Sequence, residues 1–247
     1  MALINELEKQ GNFLFRYRGQ FPVLLFFLAI PFLYWTELEL LNESTRARFT
    51  FIAILISFLG FCVRAYTVGT TPKGTSGRNT KEQKAYVLNT TGIYATVRHP
   101  LYVGNFLMWM GIVLFTYNLY FVILVSLLYW LYYERIMFAE ERFLERKFGD
   151  DYIKWASSLP AFFPNLKSYT PSIVPFSFKT VLRREYSGLL ATVLGFAFVE
   201  LIRNYFFEGS WFIAKPFQYA LMIAIVLAIS LRSLKHYTHL LAEENRS

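Results

Sequence analysis

Apolar residues gather into six runs along the chain, at 21–35, 49–66, 101–115, 119–133, 186–202 and 211–231, each bounded by polar or charged residues. The hydrocarbon of a bilayer holds no water to satisfy backbone N–H and C=O groups, so a crossing helix needs about 20 largely apolar residues. The six runs approach that length. They predict an all-α fold, a polytopic transmembrane helical bundle of about six spans. The first run is short and is interrupted by Pro22 and Pro31. Between the third and fourth runs stand only Thr116, Tyr117 and Asn118, too few for anything but a tight helical hairpin. Residues 204–210 make a second short link. Two long polar stretches remain, 67–100 and 138–185, and any water-facing chemistry falls to them.

Basic residues then orient the runs, because cytoplasmic loops carry an excess of Lys and Arg. Lys9, Arg16 and Arg18 precede the first run. Arg64, Lys73, Arg78, Lys81, Lys84 and Arg98 lie at the end of the second run or before the third. Arg142, Arg146, Lys147, Lys154, Lys167, Lys179, Arg183 and Arg184 lie between the fourth and fifth, and Arg232, Lys235 and Arg246 end the chain. If every run crosses, these groups share one side. The other side holds Arg46, Arg48, Arg203 and Lys215. Both termini and both long loops are therefore expected in the cytoplasm.

Composition agrees. Hydrophobic residues make up 55% of the 247 and charged residues 17%, against about 25% charged in a soluble domain. Aromatics reach 19%, which suits lipid faces and interface belts. The formal charge of +8 comes from residues flanking apolar runs, so anionic lipid rather than nucleic acid is the expected partner. Cys62 is the one cysteine, which leaves no disulfide within the chain. The first 20 residues are too polar for a signal peptide. No obligate protein partner is evident.

Residues 92–104 read GIYATVRHPLYVG. Pro100 suits the first turn of a helix, where its missing N–H costs nothing. Arg98 and His99 stand just before it, beside backbone N–H groups expected to be free, a combination that attracts carboxylates or phosphates. Tyr94 and Tyr102 offer faces and hydroxyls to an adenine or a cationic centre. Gly104 and Gly111 let another helix come close. The plain alternative is an interfacial anchor.

Residues 133–152 read YERIMFAEERFLERKFGDDY, and the fourth helix is expected to run on out of the bilayer until Gly149 stops it. That brings Glu134, Glu140 and Glu141 to the interface that holds Arg98 and His99. Phe143, Leu144 and Phe148 share one side of the extension, able to lie on the membrane or cover a pocket. A solvated helix braced by charge pairs explains it poorly. Glu141–Glu145 and Arg142–Arg146 repel, and only Arg142–Glu145 attracts. A third segment, residues 159–164, reads LPAFFP and says little alone.

In this order the motifs resemble the isoprenylcysteine carboxyl methyltransferase and phospholipid methyltransferase superfamily, integral membrane enzymes that use S-adenosylmethionine (SAM). The resemblance rests on RHPLYVG at 98–104, Glu140-Glu141, FGDDY at 148–152 and residues 160–164, and covers about a third of the chain. It implies cofactor contacts at Tyr86, Val87, Leu88, Asn89, Tyr94, His99, Pro100, Leu101, Tyr102 and Glu140. Glu140 would face the cationic or hydroxyl groups of the cofactor. It divides the chain into N-terminal transmembrane helices (1–70), a methyltransferase core with the SAM site (71–170) and a C-terminal transmembrane hairpin (171–247). One departure stands out. The prenylcysteine enzymes carry a substrate-side arginine four residues before that glutamate, where this chain has Ile136. Arg135 is five residues before it, about 140° round the helix instead of about 40°. That argues against a free prenylcysteine carboxylate as acceptor.

The expected chemistry is methyl transfer to a lipid or lipidated acceptor, at a phosphate, a headgroup amine or a carboxylate. Glu140, His99 and the two tyrosines would place the cofactor, with Arg135 and Glu141 orienting the acceptor and no metal required. The alternative is an NADPH-dependent reductase of a sterol-like lipid, which shares a similar Arg-His-Pro region. Two adjacent carboxylates argue against it, being poor company for a 2′-phosphate. A transporter is the third reading. Arg64, Glu200 and Lys215 are the ionisable residues inside the runs, all near helix ends, with Arg203 the expected partner of Glu200. His236 and His239 are i,i+3 but lack a third metal ligand nearby. Residues 69–77 are glycine-rich without a nucleotide fingerprint, and are expected to cover the cofactor as a loop.

Overall fold

The computed structural model describes residues 2–73, 83 and 85–243. Residues 74–77 of the expected cofactor-covering loop, and the basic residues Arg78, Lys81, Lys84 and Arg246, lie outside the described residues. The described residues are 74% helical. Eight α-helices follow in order: α1 Ala2–Arg16, α2 Leu24–Tyr34, α3 Glu43–Gly69, α4 Pro100–Leu114, α5 Leu119–Phe148, α6 Asp150–Ser157, α7 Phe178–Glu208 and α8 Lys215–Tyr237. Among the described residues there is no β-strand, only one antiparallel bridge between Gly92 and Thr170.

Every apolar run forms a helix, but the runs differ in reach. Four helices, α3, α5, α7 and α8, are long and apolar enough to cross a membrane. The α1–α2 pair passes the same test jointly but is bent by 74°, with Pro22 in the 3₁₀ turn between the two helices. α4 has 15 residues, about 22 Å at 1.5 Å per residue, short of a hydrocarbon core of about 30 Å. The length criterion therefore gives four to five crossings where the sequence suggested six. The exposed faces are apolar, as lipid requires: Phe51, Ile54 and Phe58 on α3, and Met222, Val226 and Ile229 on α8.

Glycine sets how closely the central helices approach. A Cβ on Gly60 would stand 2.6 Å from the Gly104 carbonyl, and one on Gly104 would stand 2.5 Å from Arg64 Cγ. One on Gly111 would strike Ser57. The Ser57 hydroxyl donates to the Met108 carbonyl at 2.7 Å. α3 and α4 thus run antiparallel in backbone contact from Arg64 down to Thr50, whose hydroxyl meets Tyr117 at 2.7 Å. The hairpin at 116–118 is tight, with Tyr117 at φ 59° and the Asn118 side chain capping α5.

The segments alternate in direction. At one end α2, the α4–α5 turn and the close of α7 meet: Asn118 donates to Thr36 at 3.1 Å, Tyr34 packs on Phe206 and Arg203 donates to the Phe115 carbonyl at 2.7 Å. Arg203 also lies over the Phe115 and Tyr117 rings. Glu200 instead accepts from the Ala214 amide, so the expected Glu200–Arg203 pair gives way to two backbone contacts. At the other end Lys235 of α8 reaches the Tyr186 ring of α7, and Glu243 bonds Ser177 and Thr180 at the start of α7.

α5 continues 15 residues past its apolar run, to Phe148, where Gly149 at φ 53° ends it. α1 lies along this extension. Gly11 sits against the Arg135 carbonyl, Phe15 joins Tyr133 and Met137 in a buried cluster, and Glu8 pairs with Arg146 at 2.6 Å.

Candidate active site

The mouth of α4 is built by segments far apart in sequence. Gly92 has φ 64°, a conformation open to glycine and costly for other residues, and its amide donates to Thr170. The turn at 93–95 is pinned by Trp155, whose indole N–H donates to the Tyr94 carbonyl at 3.2 Å. Residues 160–165 then lie alongside 96–99. The amides of Arg98 and His99 donate to the Pro160 and Ala161 carbonyls at 3.0 and 3.2 Å, and the Asn165 amide donates to Thr96 at 2.9 Å. This corrects the expectation of free amides here. The amides of Tyr102 and Val103 turn back to the His99 carbonyl, so side chains, not an open helix N-terminus, face the site.

His99 is buried and stands between two carboxylates. Its Nε2 is 2.8 Å from Glu141 Oε1 and its Nδ1 is 3.6 Å from Glu140 Oε2. Burial opposes the imidazolium, but hydrogen bonds and charge from Glu140 and Glu141 outweigh it and raise the His99 pKa above its ordinary value. Glu141 also receives Arg98 Nη1 at 3.1 Å, and Tyr152 from α6 stands beside that pair. The Tyr102 ring stacks on His99 at 5.7 Å and its hydroxyl reaches Glu140. Tyr94 is held in its protonated form, first by burial and then by the charge of Glu140, against Arg184, Thr71 and Arg64.

These groups enclose a cavity of about 510 Å³, within the range of small-molecule sites. Of the residues expected at the cofactor, Val87, Leu88, Asn89, Tyr94, His99, Pro100, Leu101, Tyr102 and Glu140 line it. Tyr86 does not. It is 73% exposed, with Lys147 over its ring. Glu141 lies behind the wall, holding Arg98 and His99. Arg135 faces away and pairs with Glu134 at 2.9 Å, as the 140° rotation implied. Phe143 and Leu144 of the extension cover part of the cavity. An adjoining hollow of about 790 Å³ shares Phe15, Gln83 and Phe143 with it and lies between α1 and the end of α5.

The motifs missed part of the wall: Phe15 and Arg18, Arg64 of α3, Asn105 of α4, Tyr133 of α5, Trp155 of α6, and Arg184 and Glu185 of α7. Arg64 and Glu185 form an ion pair at 2.7 Å. One signal pointed to it, since a charge inside an apolar run calls for a partner. Among the described residues no group of three or more His, Cys, Asp or Glu is placed to hold a metal ion.

Fold and site together define a helical integral membrane protein with a cavity of small-molecule size, lined by both charged and apolar side chains. Residues 49–151 match the family described as phospholipid methyltransferase. The chain is similar to a protein-S-isoprenylcysteine O-methyltransferase of Schizosaccharomyces pombe, 37% identical over 34% of this chain and 36% of that protein. It is also similar to the cobalt-zinc-cadmium resistance protein CzcN of Cupriavidus metallidurans, 37% identical over 35% of this chain and 40% of that protein. The Rattus norvegicus protein-S-isoprenylcysteine O-methyltransferase is 26% identical over 55% of this chain and 46% of that protein. The chain thus spans less than half the length of each of these relatives, none of which is named as a reductase. No solved structure matches it.

Proposed function

We propose that this protein is a SAM-dependent methyltransferase acting on a lipid-borne oxyanion at the cytoplasmic face of its membrane. The observation that carries the reading is the meeting of His99, Glu140 and Tyr102 on one cavity wall, within the region that matches the methyltransferase family. The residues suit the cofactor. Glu140 offers a carboxylate to its ammonium, ribose or sulfonium groups. Tyr94 and Tyr102 offer aromatic faces, which attract cations. The guanidinium of Arg98, which gives Nη1 to Glu141 and has further donors, suits its carboxylate. When bound, SAM supplies a methyl group already activated on a sulfonium, and the sulfur keeps the electron pair as the acceptor atom takes the carbon. The chain then has to hold the two in line and keep water out. Phe143 and Leu144 serve the second task.

The acceptor follows from charge. The cavity wall carries Arg18, Arg64, Arg98, Arg184 and His99 against Glu140 and Glu185. An excess of cations favours a phosphate or carboxylate over an ammonium headgroup, and an oxyanion needs no base to become nucleophilic. Arg135 points away, so acceptor orientation falls to the arginines of the cavity wall.

Purified protein incubated with labelled SAM and a total lipid extract tests the reading. Label should enter an acid-stable lipid fraction. Glu140→Gln should weaken S-adenosylhomocysteine binding about tenfold or more. No transfer, together with wild-type binding by Glu140→Gln, would remove the assignment. NADPH should show no binding in the same titration.

A further inference from the structure

α7 lies outside the region shared with the methyltransferase family, yet it places Glu185 in the cavity wall. Glu185 is 2% exposed. Both of its oxygens are engaged by one guanidinium: Arg64 Nε donates to Oε2 at 2.7 Å and Nη2 to Oε1 at 2.8 Å. Arg64 Nη1 donates to Asn105 Oδ1 at 2.6 Å. A guanidinium has five N–H donors in a fixed plane. Three are used here, leaving one on each terminal nitrogen, on a side chain that borders the cavity and is 19% exposed. Asn105 in turn donates to the Tyr133 hydroxyl at 3.3 Å. Tyr133 packs on Tyr102 at 4.7 Å, and Tyr102 stacks on His99. A continuous line of contacts therefore joins α7 to the cofactor wall through α3, α4 and α5.

Packing does not call for this pair. Well-packed apolar side chains would hold three helices together at least as well as a buried ion pair, whose desolvation cost consumes most of its attraction. α3 and α4 already touch through Gly60 and Gly104. What the pair does supply is an arginine plane fixed at one angle, with two donors left over, beside a place where an anion must be held.

We propose that Arg64 is the acceptor-side anion clamp and that Glu185, from α7, is the positioning residue that fixes its plane. The ligand is the terminal oxyanion of a lipid, a phosphate monoester or a carboxylate, received by the two remaining donors of Arg64. The inference rests on the methyltransferase reading. It makes α7 the element that sets acceptor choice, while the shared region sets the donor.

The test uses the full chain in nanodiscs and two readouts. Calorimetry measures S-adenosylhomocysteine binding. Initial rates measure methyl transfer to dioleoyl phosphatidate, to N-acetyl-farnesylcysteine and to dioleoyl phosphatidylethanolamine, so that the first two arms tell phosphate from carboxylate. One of those two should be the better acceptor. Glu185→Gln should raise its KM about tenfold or more and leave S-adenosylhomocysteine affinity within about twofold, and Glu185→Asp should recover part of the loss. Arg64→Lys keeps the charge but not the fork and should lose acceptor affinity as well. A lone charge left by a single variant can unfold the protein, so the pair Arg64→Met/Glu185→Leu is made alongside. It should fold, bind S-adenosylhomocysteine and lose acceptor affinity. The clamp is overturned if that double variant keeps the wild-type acceptor KM, or if phosphatidylethanolamine is the preferred acceptor. Wild-type protein that binds no S-adenosylhomocysteine brings down the methyltransferase reading and the clamp with it, a result distinct from the clamp failing alone.

Discussion

His99 sits where burial and charge oppose each other, and charge prevails. An imidazole buried alone would shed its proton, but here Glu140 and Glu141 face its two nitrogens and its pKa rises. In the unfolded chain His99 titrates near its ordinary value of about 6.5. Its contribution to stability is thus fully present below about pH 6.5 and is lost as pH rises through the higher folded value. Thermal unfolding of the detergent-purified protein should show a midpoint that falls on going from pH 6 into the alkaline range, and His99→Gln should flatten that slope. A slope unchanged in His99→Gln would place its origin elsewhere. Glu141→Gln removes one carboxylate from both His99 and Arg98, and should cost about 1–3 kcal/mol in stability. Because Glu141 lies behind the cavity wall, that variant should retain more S-adenosylhomocysteine binding than Glu140→Gln does. At this scale the sequence was legible where the partners lie on one hairpin. His99, Glu140 and Tyr102 belong to motifs whose spacing along two joined helices brings them together. Arg64 and Glu185 are 121 residues apart, and no local pattern pairs one charge in an apolar run with one particular carboxylate among many.

Among the helices, the close contact of α3 and α4 decides where the site stands. Gly104 was expected to admit a neighbour, and the neighbour is α3, whose Arg64 stem occupies the space a Cβ would take. Gly104→Leu should therefore destabilise the protein by about 1–3 kcal/mol or more through overpacking and displace Arg64 together with the helix. Gly19→Leu, with nothing within 4 Å of its Cβ position, should leave the unfolding midpoint unchanged. Equal midpoints for the two variants would mean that α3 and α4 are not packed on glycine. The extension of α5 and its stop at Gly149 were readable too, because an apolar run passed into a charged helical one without a breaker. The role of residues 160–165 was not readable. An LPAFFP segment states only that its backbone is extended and poor in N–H donors. That its carbonyls hold the amides of Arg98 and His99 depends on α6 and the loop after it folding back across the mouth of α4. The register of α1 against α5, with Gly11 on the Arg135 carbonyl, was equally hidden in a stretch that reads simply as polar.

For the whole molecule the open quantity is the number of crossings, and α4 decides it. By length and composition four helices cross, or five with the bent α1–α2 pair, and five would put the termini on opposite sides. Yet α4 runs antiparallel to α3 from Arg64 to Thr50, which covers nearly the whole apolar run of α3. A helix packed along a spanning neighbour would share its depth, and the Thr116–Asn118 turn at one end and the Arg98–His99 mouth at the other would extend its short length. The sequence bias of basic residues favours six crossings as well, with Lys and Arg concentrated before α2, between α3 and α4, from the extension of α5 to the start of α7, and at the close of α8. We propose six crossings with both termini on the cytoplasmic side. Cys62 is the one native cysteine, so a Cys62→Ser background permits single-cysteine mapping. In sealed vesicles of known orientation, a membrane-impermeant maleimide should label Asn12→Cys, Lys154→Cys and His239→Cys from one side. It should label Glu39→Cys and Glu208→Cys from the other. If Asn12→Cys and His239→Cys label from opposite sides, the count is odd and the six-crossing topology fails. If Lys154→Cys labels with Glu39→Cys, the cavity mouth is not where the basic residues put it, and the cytoplasmic placement of the site goes with it.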